Sequence, residues 1–350
     1  MKRLVTIFSL LIFLSITISG IAFSNNITIA IKEGMKTLNI KKNDPNLSVL
    51  TNVSYVKLNG KTTEKYVDLI QEITGCSIGK GNLLFFHRPT SYPLKIVLFR
   101  KDTKDSVVIT YKGNDQDIKM VKINIDGEKA TIPKYWKKLE ASLGRSDAFS
   151  IVTILNAWEK GAPYDFLKCC EFHNHLCPGV TSGYFIVSYI LKKYPLKKGE
   201  KYIFIACPPW CKDDAIQILL DLTPGKRSLF VKQLSSIQKK DLPEGIAGIL
   251  VKWNNKEKKG KGVVFQFNRK KAYEEIGGVK IRDFKPKGGK SNPLFWTTRI
   301  KVDWALMPYL NKPEMFISTI KEFNVTYDKL IKLTLAGVNP YNVIGLTSKH

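Results

Sequence analysis

The side chains best placed to do chemistry lie in one stretch, His173-Asn174-His175-Leu176-Cys177-Pro178-Gly179, with Cys211 further on. His-x-His-x-Cys sets three metal-capable groups within five residues. In an extended or turning backbone, alternate residues point the same way, so His173, His175 and Cys177 can converge. Imidazole nitrogen with thiolate is a zinc-type donor set, open also to other divalent transition metals. Pro178 and Gly179 end that path and launch a helix, Pro being suited to a first turn. A thiolate at a helix start is stabilised by the dipole, so Cys177 is a good ligand or nucleophile. Cys211 stands at the start of another helical segment, with the same advantage.

Cys207, four residues before Cys211 across Pro208-Pro209-Trp210, is a further candidate for the site or a disulfide partner for Cys211. Cys169 and Cys170 read as small buried hydrophobes. Five of the six cysteines fall between 169 and 211, among two of the four histidines. Such clustering describes a site, not a framework of staples. Asp213, Asp214 and Glu171 are the nearby carboxylates for a general base.

The segments 67–83 and 213–229 align without gaps, with Asp, Ile, Gln, Gly, Lys and Leu coinciding at six of seventeen positions. Self-similarity at a fixed offset marks an internal repeat. Each copy has apolar residues at helical spacing and closes in a Gly-Lys turn. Alternating runs at Val53–Leu58 and Lys201–Ala206 predict a strand before each helix. Strands are expected after it at Leu83–Phe86, Leu94–Phe99 and Ser106–Tyr111, and at Ser228–Lys232, Ile246–Trp253 and Gly262–Phe267. Helices over Ile29–Leu38 and Gly179–Lys193 come before each unit. The common order is helix, strand, helix, three strands.

This predicts an α+β protein of two tandem α-β-α-β-β-β units, with mixed sheets packed as a pseudo-dimer. Residues 25–145 form a degenerate repeat, 146–310 a metal-binding domain, and 311–350 a helical tail. Pro133–Ser150 reads as a polar connection, Asp147–Lys160 as the helix opening the second domain, and Lys270–Asn292 as a surface excursion. Gly75-Cys76-Ser77-Ile78-Gly79-Lys80 is not a P-loop: three residues separate its glycines, Gly81 follows the Lys, and it ends a helix.

Residues 1–24 have the layout of a signal peptide: Met1-Lys2-Arg3, an apolar run from Leu4 to about Phe23, and Ala22 and Ser24 before a cut at Asn25. The run is also long enough for an uncleaved anchor. The chain is therefore expected outside the cytoplasm, with membrane contact only through that segment. The formal net charge of +26 is spread along the chain without an Arg-rich stripe, which argues against a nucleic-acid partner.

The assembled motifs resemble those of the formylmethanofuran dehydrogenase E-like family. His173–Gly179 is similar to its His-x-His-x-Cys-Pro-Gly segment, with Gly183 in the following helix. Cys211-Lys212-Asp213-Asp214-Ala215-Ile216-Gln217 is similar to its Cys-x-x-Asp-Ala-x-Gln segment. The resemblance covers about 60 residues closely and implies a fold like the catalytic domain of glyceraldehyde phosphate dehydrogenase. In the family a Gly-Cys-Thr-x-Gly-Lys-Gly-Asn-Leu loop follows. The second half has Asp221-Leu222 in place of Gly-Cys, whereas Gly75–Leu83 keeps that loop and has Lys65 where Cys211 stands. One reading is a composite site, with Cys76 near the metal motif; the other is a decayed first half with Cys76 as a buried remnant.

Three functions follow. The first is an exported protein that binds zinc or a similar ion through His173, His175, Cys177 and Cys211, with Asp214, Cys207 and Cys76 as further site residues. The second is a metal-dependent hydrolase or lyase with an open zinc position for water and a small-molecule substrate. The third, a thiol redox protein, is disfavoured by the Cys-x-x-x-Cys spacing.

Overall fold

The computed structural model describes residues 26–114 and 118–347. The segment 1–24 and His350 lie outside them. The chain divides into two compact units: unit 1 reaches to Asp126 and adds Leu139–Glu159, and unit 2 comprises Gly127–Lys138 and Lys160 onward.

In unit 1, helix α1 (residues 26–37) buries Ile27, Ala30 and Ile31 on one face. Strand β1 (Leu47–Thr51) follows, buried along its length, then a small hairpin of β2 (Lys57–Leu58) and β3 (Lys61–Thr62). Helix α2 (Lys65–Thr74) leads to β4 (Leu83–Phe85), β5 (Leu94–Arg100), β6 (Asp105–Tyr111) and β7 (Ile118–Asn124). The sheet order is β4-β1-β5-β6-β7, with β4 parallel to β1 and every other pair antiparallel. Alternation sends Val49, Ile96, Leu98 and Val107 into one core with α1 and α2.

The expected polar connection is instead two helices, α3 (Pro133–Leu143) and α4 (Arg145–Glu159). The second of these, read from the sequence as the opening of the second domain, counts with unit 1. Its residues Asp147–Ala157 are all buried, and Trp158 meets Phe99 edge-on at 6.3 Å. A helix buried on all sides has no apolar stripe to announce it. Asp147 anchors it, paired with Arg88 and Lys95 at 2.6 Å each.

Unit 2 opens with α5 (Tyr164–His173) and α6 (Pro178–Lys193), then β8 (Glu200–Ala206), α7 (Lys212–Leu219), β9 (Leu229–Val231) and α8 (Ser236–Lys240). Strands β10 (Ile246–Asn254) and β11 (Lys259–Phe267) form a hairpin. After a π-helical turn at Lys270–Ile276 come α9 (Leu294–Leu306), β12 (Ile317–Thr326), α10 (Tyr327–Thr334) and α11 (Pro340–Val343). The sheet order is β12-β11-β10-β8-β9, again with one parallel pair, β8 with β9, and the rest antiparallel.

The two sheets thus share one topology, five strands in the same order and sense, which is the repeat read from the sequence. Two expectations need correction. Leu229 pairs with Phe204 as Leu83 pairs with Val49, but Leu229 follows Leu83 by 146 positions and Phe204 follows Val49 by 155. The nine extra residues lie in the stretch before α2 that holds the hairpin β2–β3, so the first strand is 47–51 and not 53–58. Second, the segment 311–350 is not purely helical. Ile317, Ile320, Phe323 and Val325 put β12 on the sheet edge, and α10 and α11 then cover its core through Leu330, Leu333 and Tyr341. Among the described residues, no helix is long and apolar enough to cross a membrane.

Candidate metal centre

The His-x-His-x-Cys segment is not an extended strand. His173 is the last residue of α5, Asn174 takes a left-handed φ of 70°, and Cys177 caps α6 at an extended φ of −149°. Asn tolerates that left-handed conformation better than most residues, and Pro178 starts the next helix. The tight turn brings the side chains together as expected, by a different path. The ligand atoms of His173, His175 and Cys177 all lie within 4.8 Å of one another, and the two imidazole centroids are 4.4 Å apart. These three side chains form a group able to hold a metal ion.

Cys211 joins them from the start of α7. Helices α6 and α7 touch at two glycines. A Cβ on Gly179 would stand 3.3 Å from Cys211 Sγ, and one on Gly183 would stand 2.3 Å from Lys212 O. Glycine at both places lets the two helix starts meet, which sets Cys211 against the first turn after Cys177. Each shifts the other: Cys211 and burial push the Cys177 thiol well up, while Cys177 and His173 draw the Cys211 thiol down.

His173 shows its purpose through its two nitrogens. Nδ1 lies 2.5 Å from Asp214 Oδ2, while Nε2 is buried and meets no hydrogen-bond partner among the described residues. Burial lowers the imidazole pKa, but Asp214 and the neighbouring Cys211 outweigh it and raise it to about 9. A carboxylate on one nitrogen with the other left bare is how proteins orient a metal-binding histidine. Of the carboxylates considered as bases, Asp214 orients His173. Asp213 and Glu171 are occupied: Asp213 by the fully buried Lys212 at 2.5 Å and the Trp210 N–H at 2.9 Å, Glu171 by Lys168 at 2.5 Å.

The remaining cysteines are core residues, and none of the six is in a disulfide. Cys207 belongs to the sheet core of unit 2, where burial pushes its thiol up to about 11. Cys169 donates to Asp165 O at 3.3 Å, and Cys170 is fully buried. Cys76 lies in the core of unit 1, donates to Leu47 O at 3.6 Å, and is likewise pushed by burial to about 11. Its loop is internally satisfied: Gly75 takes φ 74°, where a Cβ would strike the Asn43 side chain, and Lys80 Nζ bonds Asn43 Oδ1 and Gly75 O.

Sequence reasoning missed several neighbours of the centre. Trp210 is stacked under Lys212 Nζ at 3.9 Å and the Arg269 guanidinium at 5.0 Å. Tyr273 lies on the π-helical turn, a feature common at functional sites, and stacks on Phe284 at 4.6 Å. The segment 270–292 is therefore not only a surface excursion; Ala272 is buried, and burial pushes the Tyr273 phenol up, with a smaller push from the nearby Cys211. Asp303, buried on α9, receives the Thr181 hydroxyl at 2.8 Å. One signal was available for it: a single carboxylate inside the otherwise apolar stretch Val302–Leu306.

No curated protein matches the chain. Residues 172–316 match the family model described as FmdE, molybdenum formylmethanofuran dehydrogenase operon, so the resemblance carried by His173–Gly179 and Cys211–Gln217 extends over most of the second half of the chain.

Proposed function

We propose that this chain is an exported metal-binding protein with zinc as its preferred ion, held by His173, His175, Cys177 and Cys211. The observation that carries this reading is the bare, buried Nε2 of His173, its other nitrogen held by Asp214, on a side chain whose ligand atom lies within 4.8 Å of those of His175 and Cys177. Leaving a polar atom buried and unpaired costs about 1–3 kcal/mol, which a bound cation removes. The family match over the same residues supports it. Nitrogen and sulfur donors favour zinc among the available divalent ions. Cys76 and Cys207, each packed in a core, are left out of the donor set. The basic leader and apolar run of residues 1–24 support export.

Elemental analysis of the purified full chain tests the reading: one transition metal per chain, lost in Cys177→Ser. Full metal content in that variant overturns it. Cell fractionation with N-terminal sequencing tests export, the expected mature start being near Asn25.

A further inference from the structure

Between α1 and α2 of unit 1 lies a groove of about 830 Å³ that the metal reading leaves unused. Its floor is apolar: Met35 and Ile40 on one side, and Leu69 and Ile73, one turn apart on α2, on the other. Lys32, Lys36, Lys41 and Lys42 stand exposed around the rim with a single carboxylate, Glu72. None of these four lysines is ion-paired among the described residues. The walls are fixed. A Cβ on Gly34 would stand 2.7 Å from Leu98 Cδ1, so α1 is seated tightly on the sheet. The turn after α1 is tied to both helices, Ile40 N–H to Met35 O at 3.0 Å and Asn43 N–H to Thr74 O at 2.9 Å. In unit 2 the corresponding seam is shut: a Cβ on Gly183 of α6 would stand 2.8 Å from the Ala215 Cβ of α7. In the aligned segment 67–83 Leu69 takes the place of Ala215, a side chain too large for such a contact, and the seam of unit 1 stands open.

We propose that this groove binds a phosphate-headed amphiphile, its apolar tail on Met35, Ile40, Leu69 and Ile73 and its head among Lys32, Lys36, Lys41 and Lys42. Small-molecule sites are concave and mainly apolar, with a few polar groups that fix orientation, and the groove has that make-up. Charge selects the head. Four ammonium groups face Glu72 and the C-terminal ends of α1 and α2, each end worth about half a negative charge. The surplus of about two positive charges matches a phosphate monoester, at about −1.5 to −2 near neutral pH, better than a carboxylate, at about −1. Lysine stems lie along apolar surface while the ammonium reaches an anion, so the same side chains serve tail and head. The net charge of +26 adds a longer-range attraction for an anion and repels a cationic amphiphile.

The test is calorimetric titration of the full chain with dodecyl phosphate below its micelle concentration. One molecule is expected to bind per chain. Dodecanoate, with nearly the same tail and a smaller charge, should bind about tenfold more weakly, and inorganic phosphate and dodecyltrimethylammonium should not bind in the same range. Lys36→Glu with Lys41→Glu should weaken dodecyl phosphate binding about tenfold or more, the worth of hydrogen bonds to charged groups, with metal content and far-UV circular dichroism unchanged. Leu69→Glu, which puts a carboxylate on the floor, should abolish it; should that variant fail to fold, the lysine variant decides. No binding of dodecyl phosphate by the parent protein overturns the proposal, as expected if the groove takes an acidic helix of a partner or only solvent. Equal affinity for dodecanoate overturns the choice of head and the proposal with it. Binding that survives the lysine variant undiminished lies elsewhere on the chain and overturns it as well.

Discussion

Gly179 and Cys211 are in contact so close that a Cβ at position 179 would stand 2.7 Å from the Cys211 Cβ. The glycine belongs to the first turn of α6 and the cysteine caps α7, so this contact sets the distance between the two sulfurs of the centre. Real Cβ atoms do not approach to that distance, and both partners here are near backbone. Gly179→Ala is therefore expected to spread the two helix starts by a few tenths of an ångström. Metal affinity should fall at least tenfold, because donors held only loosely in place lose much of their advantage, while far-UV circular dichroism stays unchanged. Titration with Co(II) checks it; undiminished affinity would show that the contact does not govern the site.

Asp214 offers a second handle. It binds His173 Nδ1 at 2.5 Å and leaves Nε2 free. Asp214→Asn can still hydrogen-bond the ring but loses the charge that raises its basicity. The expected result is a 10- to 100-fold weaker metal affinity, typical of altered orienting partners, with one metal per chain still reached at saturation. Competition with a chelator of known affinity measures the change.

The buried pair Lys212–Asp213 carries a prediction about stability. Lys212 Nζ is fully buried, bonded to Asp213 Oδ1 at 2.5 Å and Pro208 O at 3.2 Å, while Asp213 Oδ2 receives the Trp210 N–H. Lys212→Met leaves Asp213 buried without a counter-charge, which costs about 3–5 kcal/mol. Lys212→Met with Asp213→Leu should recover much of that loss. Denaturant unfolding followed through tryptophan fluorescence measures both, and a double variant no better than the single one would contradict the account.

His87 supplies the pH dependence. Burial, with Arg88 beside it, lowers its pKa below the ordinary 6.5. Between the folded and unfolded pKa values, the unfolded chain binds more protons than the folded one. The resulting stability is therefore complete above pH 6.5 and is lost as the pH falls through the lower, folded value. His87→Gln is expected to flatten that part of the stability curve relative to the parent protein, with no change between pH 7 and 8. Equilibrium unfolding at half-unit steps from pH 5 to 8 provides the comparison; parallel curves would refute it.

Much of the molecule was legible because its signals are local. The repeat, the sequential element order and the donor types His173, His175, Cys177 and Cys211 depend on spacing within short windows, and a Pro-Gly after Cys177 announces a helix start wherever it occurs. A gap-free alignment could not show that the first half has nine extra residues between β1 and β4, since insertion before α2 leaves the helix pattern untouched. Likewise α4 is buried on all sides, and β12 alternates only weakly at a sheet edge, so neither carried a clear period.

What only the tertiary structure decided is which polar groups lack partners. By sequence alone His173 and His175 are equivalent, as are Asp213 and Asp214; folding gives Asp213 to Lys212 and Asp214 to His173, leaving one imidazole nitrogen bare. Asp303, 126 positions beyond Cys177, meets Thr181 only because α9 and α6 pack together, and that bond exists nowhere in the linear pattern. Residue type and spacing determine what chemistry is available. Burial and partnership, which depend on how distant segments pack, determine which atoms remain free to perform it.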